Sequence, residues 1–132
     1  MTVLNVIVMK HQILLSLAAN IQQKKNMAEA RRLLSTLIDD AEFTPERWTE
    51  PIGNSRPDKY LNQLVRATTT LGADELQQRC KELERVMGRT DADRREGIVR
   101  IDIDLLQHDA CRYHERDWGR DYIRQLLPLF SS

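Results

Sequence analysis

Two segments with apolar residues at helical spacing, each set among strand-like runs, narrow the folds open to this chain more than any other feature. The sharper is Leu76, Cys80, Leu83 and Met87, at i, i+4, i+7 and i+11, with Gly88 where a helix C-terminal cap belongs. The other is Met27, Ala30, Leu34, Leu37 and Ile38. For it Asn26 is the expected N-cap, Glu29 the reciprocal member of a capping box, and Asp39-Asp40 the end. A polar loop, 20–25, precedes it, and before that the apolar run 13–17 reads as a buried strand. Between the helices, 43–49 is strand-like and 51–57 is a loop by its prolines and glycine. Residues 60–70 then read as a strand that alternates Leu61, Val65 and Ala67 against Asn62, Arg66 and Thr68, with Leu64 as the exception. A charged loop, 89–96, leads to a strand holding Ile101, Ile103 and Leu105, and 107–132 carries Tyr122, Ile123, Leu126, Leu127 and Leu129, an expected amphipathic helix. The order β-α-β-β-α-β plus a terminal helix predicts an α+β, ferredoxin-like fold, with helices on one face of an antiparallel sheet and the other face open for a ligand.

A chain of 132 residues fits one domain with one core. Lys plus Arg (20) equals Asp plus Glu (20), so the formal net charge is zero and no long-range field draws the chain to nucleic acid or to an anionic membrane. The apolar run near the N-terminus is too short to span a bilayer and is explained better as a first strand than as a signal peptide. Residues 1–8 read as an extension, with Met9 as an alternative start. Only Cys80 and Cys111 are present, neither with a neighbour at metal-ligand spacing, which points to a reduced, cytoplasmic protein. There is no phosphate-binding glycine loop, nucleophile elbow or zinc signature. Oligomeric state is not written in the pattern.

The open sheet face is therefore the expected chemical surface, and it carries Asp102 and Asp104. In an extended segment Ile101, Ile103 and Leu105 face one side while the two carboxylates project on the other, about 6.5–7 Å apart. That spacing suits a pair of hard divalent cations. On spacing alone a merely solvated strand face is the more ordinary reading.

Further motifs change the balance. Ala18-Ala19-Asn20 ends the first strand, Thr49-Glu50-Pro51-Ile52-Gly53 follows, Tyr60-Leu61-Asn62 opens the next strand, and Glu84 precedes Gly88-Arg89 before Asp102-Ile103-Asp104. In this order and spacing the chain, from about Ile13 to Leu106, resembles the hydroxymethyldihydropterin pyrophosphokinase family. That family transfers pyrophosphate from ATP to the hydroxymethyl group of a reduced pterin in folate biosynthesis, and has a ferredoxin-like fold. The resemblance implies that Asp102 and Asp104 hold two Mg2+ ions and that Arg89 is the best retained cation. It implies that Asn62 bonds the pterin ring, that Thr49 and Ile52 offer backbone groups, and that Tyr60 and Tyr122 form aromatic walls. Such a heterocycle needs aromatic area and an amide able both to donate and to accept. Phosphoryl and pyrophosphoryl transfer depends on alignment and charge neutralisation, which metals and a few cations supply.

Departures cluster on the nucleotide side. Asp91 stands where the family has a second basic residue, Glu96 where it has tryptophan, and Val99 where it has arginine. Arg100 is one position away and by strand parity would share a face with Asp102, so a pairing with the carboxylates is expected. Ala18-Ala19 replaces Gly-Ser, and the family's Pro-His segment has no counterpart, so His108 and His114 are assigned surface or loop roles. Two readings remain. One is a divergent pyrophosphokinase that rebuilds its ATP contacts from Arg89, Arg94, Arg95 and Arg100. The other is a non-catalytic relative that binds a pterin-like ligand or a protein partner on the same face.

Overall fold

The computed structural model describes residues 9–53 and 56–131; the expected extension, 1–8, and Asn54-Ser55 of the loop lie outside them. The central strand, β1 (His11–Ala19), pairs antiparallel with β4 (Tyr60–Thr69) on one side and β5 (Asp102–His108) on the other. β2 (Asp39–Phe43) and β3 (Arg47–Thr49) both add to β4, and β6 (Cys111–Arg112) adds to β5, giving the order β2-β4-β1-β5-β6. Since β1 and β2 flank β4 rather than touch, the connection through the first helix is the split βαβ that the pattern predicts.

The helices α1 (Gln23–Leu34) and α2 (Ala73–Val86) cover one face. Met27, Ala30 and Leu34 of α1 and Leu76, Cys80 and Leu83 of α2 pack on Ile13, Leu15 and Leu17, Leu61, Val65 and Ala67, and Ile103 and Leu105. Each fully buried leucine among these contributes about 1.5–3 kcal/mol by leaving water. The opposite face is only partly open. A second cluster joins Leu14, Leu64 and Leu106 to Ile123 and Leu126 of α4 (Asp121–Leu126), and this explains Leu64, the residue that broke the expected alternation.

Local expectations are corrected at several points. α1 starts three residues before Asn26, so the expected loop 20–25 is cut short; Asn26 lies in the first turn and its Nδ2 donates to the Ile21 carbonyl (2.8 Å). Glu29 pairs with Arg32 (2.5 Å) instead of closing a capping box. Asp39-Asp40 opens β2 rather than ending α1, and Pro45, which has no N–H to donate, separates β2 from β3 where one strand was expected. Within the charged loop Thr90 caps a short helix, α3 (Asp91–Arg95), accepting the Asp93 N–H at 3.1 Å. The terminal helix is one turn and a half: a 3-10 turn containing Pro128 follows α4, and Leu129 of the expected stripe is 57% exposed.

Candidate functional site

On the face away from α1 and α2, strand register sets Asn62, Ala18 and Asp102 in one row across β4, β1 and β5, with Leu64, Ser16 and Asp104 in the next. The small Ala18 is partly exposed between buried neighbours, and Asn62 and Asp102 stand on either side of it, two strand spacings or roughly 10 Å apart. Of the residues implied for the pterin and for the metal, Asn62 and Asp102 therefore rise from one sheet row, with only the small Ala18 between them.

The end of α2 brings a cation to this row. Gly88, at φ 102°, is the left-handed residue of a Schellman cap: its N–H donates to Arg85 O (2.9 Å) and that of Arg89 to Glu84 O (3.2 Å). A Cβ on Gly88 would lie 3.4 Å from the Arg100 side chain. The reversal folds Arg89 back onto Glu84 (Nη1 to Oε1, 2.6 Å) and within 3.5 Å of Asp102 Oδ1. Glu84 is buried at 1% side-chain exposure, and its Oε2 accepts the Ile103 N–H (2.9 Å), tying α2 to β5. Burial is the largest influence on Arg89 and opposes its charge, but Glu84 and then Asp102 outweigh it and hold its pKa above the usual arginine value. Beside it, between α2 and α3, lies a cleft of about 230 Å³ with Lys81, Arg85, Arg89 and Arg94 against Glu84 and Asp91, a cationic excess linked to Asp102 through Arg89.

Burial pushes the Asp104 carboxyl up to about 6; the Asp102 charge adds to this, His114 and Lys81 oppose it, and Asp117 adds again. Two carboxylates forced together, with Arg89 at 3.5 Å and His114 at 3.8 Å as their ion-pair partners among the described residues, form an under-neutralised oxygen donor set. The donors fit a hard divalent cation.

Asn62 is buried, its Nδ2 donating to Arg47 O (3.1 Å) and Thr49 Oγ1 (2.7 Å), so Thr49 and Tyr60, paired across β3 and β4, sit with it at the β3 end of the row. Ile52 is 77% exposed on the following loop. Tyr122 packs against the second cluster on the acidic side of the row: burial raises its hydroxyl to about 12, and Asp117, Asp104 and Asp102 are among the charges acting on it. Arg94 and Arg95 are exposed on α3. Arg100 does not reach the strand carboxylates; Asp93, 6% exposed, holds it at 2.9 Å, because the chain bends at Arg100 before β5 begins and strand parity does not apply there. Asn20 brackets the same bend, its amide donating to Gly97 O (2.8 Å) and accepting the Val99 N–H (2.7 Å).

His114 is exposed in a loop as expected, yet it faces Asp104. His108 is corrected: it ends β5, buried at 9% exposure, with Nε2 3.0 Å from the Leu71 carbonyl. Sequence reasoning marked Glu84 as part of a motif without giving it a role, and did not single out Lys81, Arg85 or Asp117. Lys81, Glu84 and Arg85 fall at i, i+3 and i+4, one face of α2, which is the signal that marks them. Both cysteines are free. Burial lifts the Cys80 thiol to about 12, so an alkylating reagent added to the native chain is expected to label Cys111 and spare Cys80 until denaturant is added; equal labelling would contradict the packing.

A split-βαβ sheet with helices on one face, an acidic pair and a buried amide on one row of the other, and a cationic cleft at the end of α2 define the class: an α+β domain of the ferredoxin-like kind. The family model for 7,8-dihydro-6-hydroxymethylpterin-pyrophosphokinase matches residues 14–130, and the chain belongs to that family. It is 32% identical to the mitochondrial folate synthesis bifunctional protein of Arabidopsis thaliana over 91% of this chain and 23% of that protein. It is 30% identical to the one of Pisum sativum over 91% of this chain and 25% of that protein. The chain thus spans about a quarter of the length of these relatives. No helix among the described residues is long and apolar enough to cross a membrane.

Proposed function

We propose that this chain catalyses transfer of the terminal pyrophosphate of ATP to the hydroxymethyl group of a dihydropterin, releasing AMP. The observation that carries this is the single row Asn62–Ala18–Asp102, with Arg89 and the cationic cleft bordering its acidic end. The family match runs through the same elements and favours this reading over a non-catalytic ligand-binding or protein-interaction module.

Asn62 and Tyr60, with backbone groups of Thr49 and Ile52, bind and orient the pterin, and Tyr122 closes the far side. Asp102 and Asp104 hold Mg2+, which when bound supplies charge neutralisation of the triphosphate. Arg89 stands beside them, and Lys81, Arg85 and Arg94 provide the positive charge that Asp91 and Val99 do not. Arg95 lies on the same short helix, exposed and available to phosphate, and Arg100 braces the loop through Asp93. The hydroxymethyl oxygen attacks the β-phosphorus, its bond to the α-phosphate oxygen breaks, and the hydroxyl proton leaves to water. Catalysis is alignment plus charge neutralisation, with no covalent enzyme intermediate. The free thiols support a reducing compartment, the cytoplasm in this reading.

AMP release measured with hydroxymethyldihydropterin, ATP and Mg2+ tests the proposal. Activity is expected in the wild type, and Asn62→Ala is expected to raise KM for the pterin about tenfold or more while leaving KM for ATP within about twofold, since one buried amide contact is lost. Pterin binding by calorimetry with no nucleotide binding and no AMP formed would sink it.

A further inference from the structure

At the far end of β1 from the acidic pair, a different set of ligating side chains converges. One atom each of His11, His108 and Asp109 lie within 4.8 Å of one another. His11 Nδ1 is 2.6 Å and His108 Nδ1 is 3.9 Å from Asp109 Oδ2, and the two imidazoles lie with centroids 4.4 Å apart. The fold makes this meeting. His11 opens β1, His108 closes β5 beside Ile13, and Asp109 takes the left-handed conformation (φ 50°) in the two-residue turn to β6, where aspartate is tolerated.

Each group is also held from behind. His108 Nε2 lies 3.0 Å from the Leu71 carbonyl, an acceptor only, so Nε2 carries the proton and the Nδ1 lone pair of the neutral ring points at the cluster. Asp109 Oδ1 accepts the Gln12 N–H (2.9 Å) while its own N–H donates to Gln12 O (2.7 Å), leaving Oδ2 to the histidines. An imidazole fixed by a backbone carbonyl and a carboxylate fixed by a backbone amide are the outer partners that metal ligands need.

We propose that His11, His108 and Asp109 form a site for a borderline first-row divalent cation of the zinc class, distinct from the magnesium pair. Two imidazole nitrogens and one carboxylate oxygen suit zinc, nickel or copper and discriminate against magnesium, which prefers an all-oxygen set. Two ligands about 2.0–2.1 Å from a tetrahedral ion are about 3.3 Å apart, so separations of 2.6 and 3.9 Å straddle the required value. On loading, Nδ1 of His11 gives up the proton it shares with Asp109: the neutral ring regains one at Nε2, and an imidazolium releases it to buffer. Water takes the fourth position. The ion joins the start of β1 to the end of β5, clamping that corner of the sheet.

The test is a zinc titration of the full chain by calorimetry with magnesium saturating, alongside cobalt substitution, whose visible absorption reports four-coordinate geometry. About one equivalent of zinc is expected to bind with nitrogen coordination and to raise the melting temperature. His11→Gln and Asp109→Asn, both at partly exposed positions, are each expected to weaken zinc about tenfold or more, and Asp104→Asn to leave it unchanged. Failure to bind zinc, or binding that survives His11→Gln and is lost in Asp104→Asn, overturns the assignment. Neither readout uses catalysis, so the result stands apart from that of the pyrophosphokinase assay.

Discussion

Replacing Asp104 with asparagine is expected to make the metal-free protein more stable at neutral pH while removing most of its activity. The Asp104 carboxyl is raised to about 6, first by burial and then by Asp102, with Asp117 adding and His114 and Lys81 opposing. A carboxyl with a folded value above its unfolded value holds its proton more tightly in the folded state. Stability is therefore full below about pH 4, falls as pH rises to about 6, and stays low above that. Two units at about 1.4 kcal/mol each set a ceiling near 3 kcal/mol, and sharing of the proton with Asp102 brings the expected effect to about 1–2 kcal/mol. Urea melts of the metal-free wild type and Asp104→Asn check this: the variant's advantage should grow by that amount between pH 4.5 and pH 7.5. An advantage equal at both pH values would mean that the pair is not strained. Turnover in the same variant should drop on the order of a hundredfold or more, because the donor set for the neutralising charge is halved. The site is then one where stability is surrendered for function.

Glu84→Ala is expected to be among the most destabilising single changes in the chain, at about 3–5 kcal/mol, because it removes the partner of Arg89 and the acceptor of the Ile103 N–H in a buried place. Asp102, 3.5 Å from Arg89, keeps part of the first contact and none of the second. Glu84→Gln keeps an oxygen for Ile103 and loses only charge, so a smaller loss of about 1–2 kcal/mol is expected. That variant should still fold, and with Arg89 less firmly held its KM for ATP should rise while KM for the pterin holds. A loss under about 1 kcal/mol in Glu84→Ala would show that the helix end is held by the Schellman cap alone.

These two residues differ in how visible they are in the chain. Asp102 and Asp104 stand out because two carboxylates interrupt an apolar strand, and parity alone puts them on one face. Glu84 sits among the many charges of α2 and is separated from Ile103 by a loop and a short helix, so only packing reveals that it is buried. Arg100 shows the converse. Parity assigned it to the acidic face, but the rule holds only inside a strand, and the bend pinned by Asn20 and Asp93 lies one residue too early. Asn26 and Asp39-Asp40 misled for a similar reason, since polar residues that favour helix ends are equally suited to a first turn or an edge strand.

The split βαβ order of the long strands and the two long helices, the helix faces and the parity within strands were legible in the chain, because hydrophobic period and a C-cap glycine are local and are satisfied by neighbours along the chain; the division of 39–49 into β2 and β3, the short α3 and the two-residue β6 were not. Long-range packing decided that α4 covers Leu14, Leu64 and Leu106 on the second sheet face, that Glu84 is buried between α2 and β5, and that His11 meets His108 and Asp109. Each of those depends on contacts between residues far apart in the chain, whose partners are chosen by register and packing, and no local pattern encodes them.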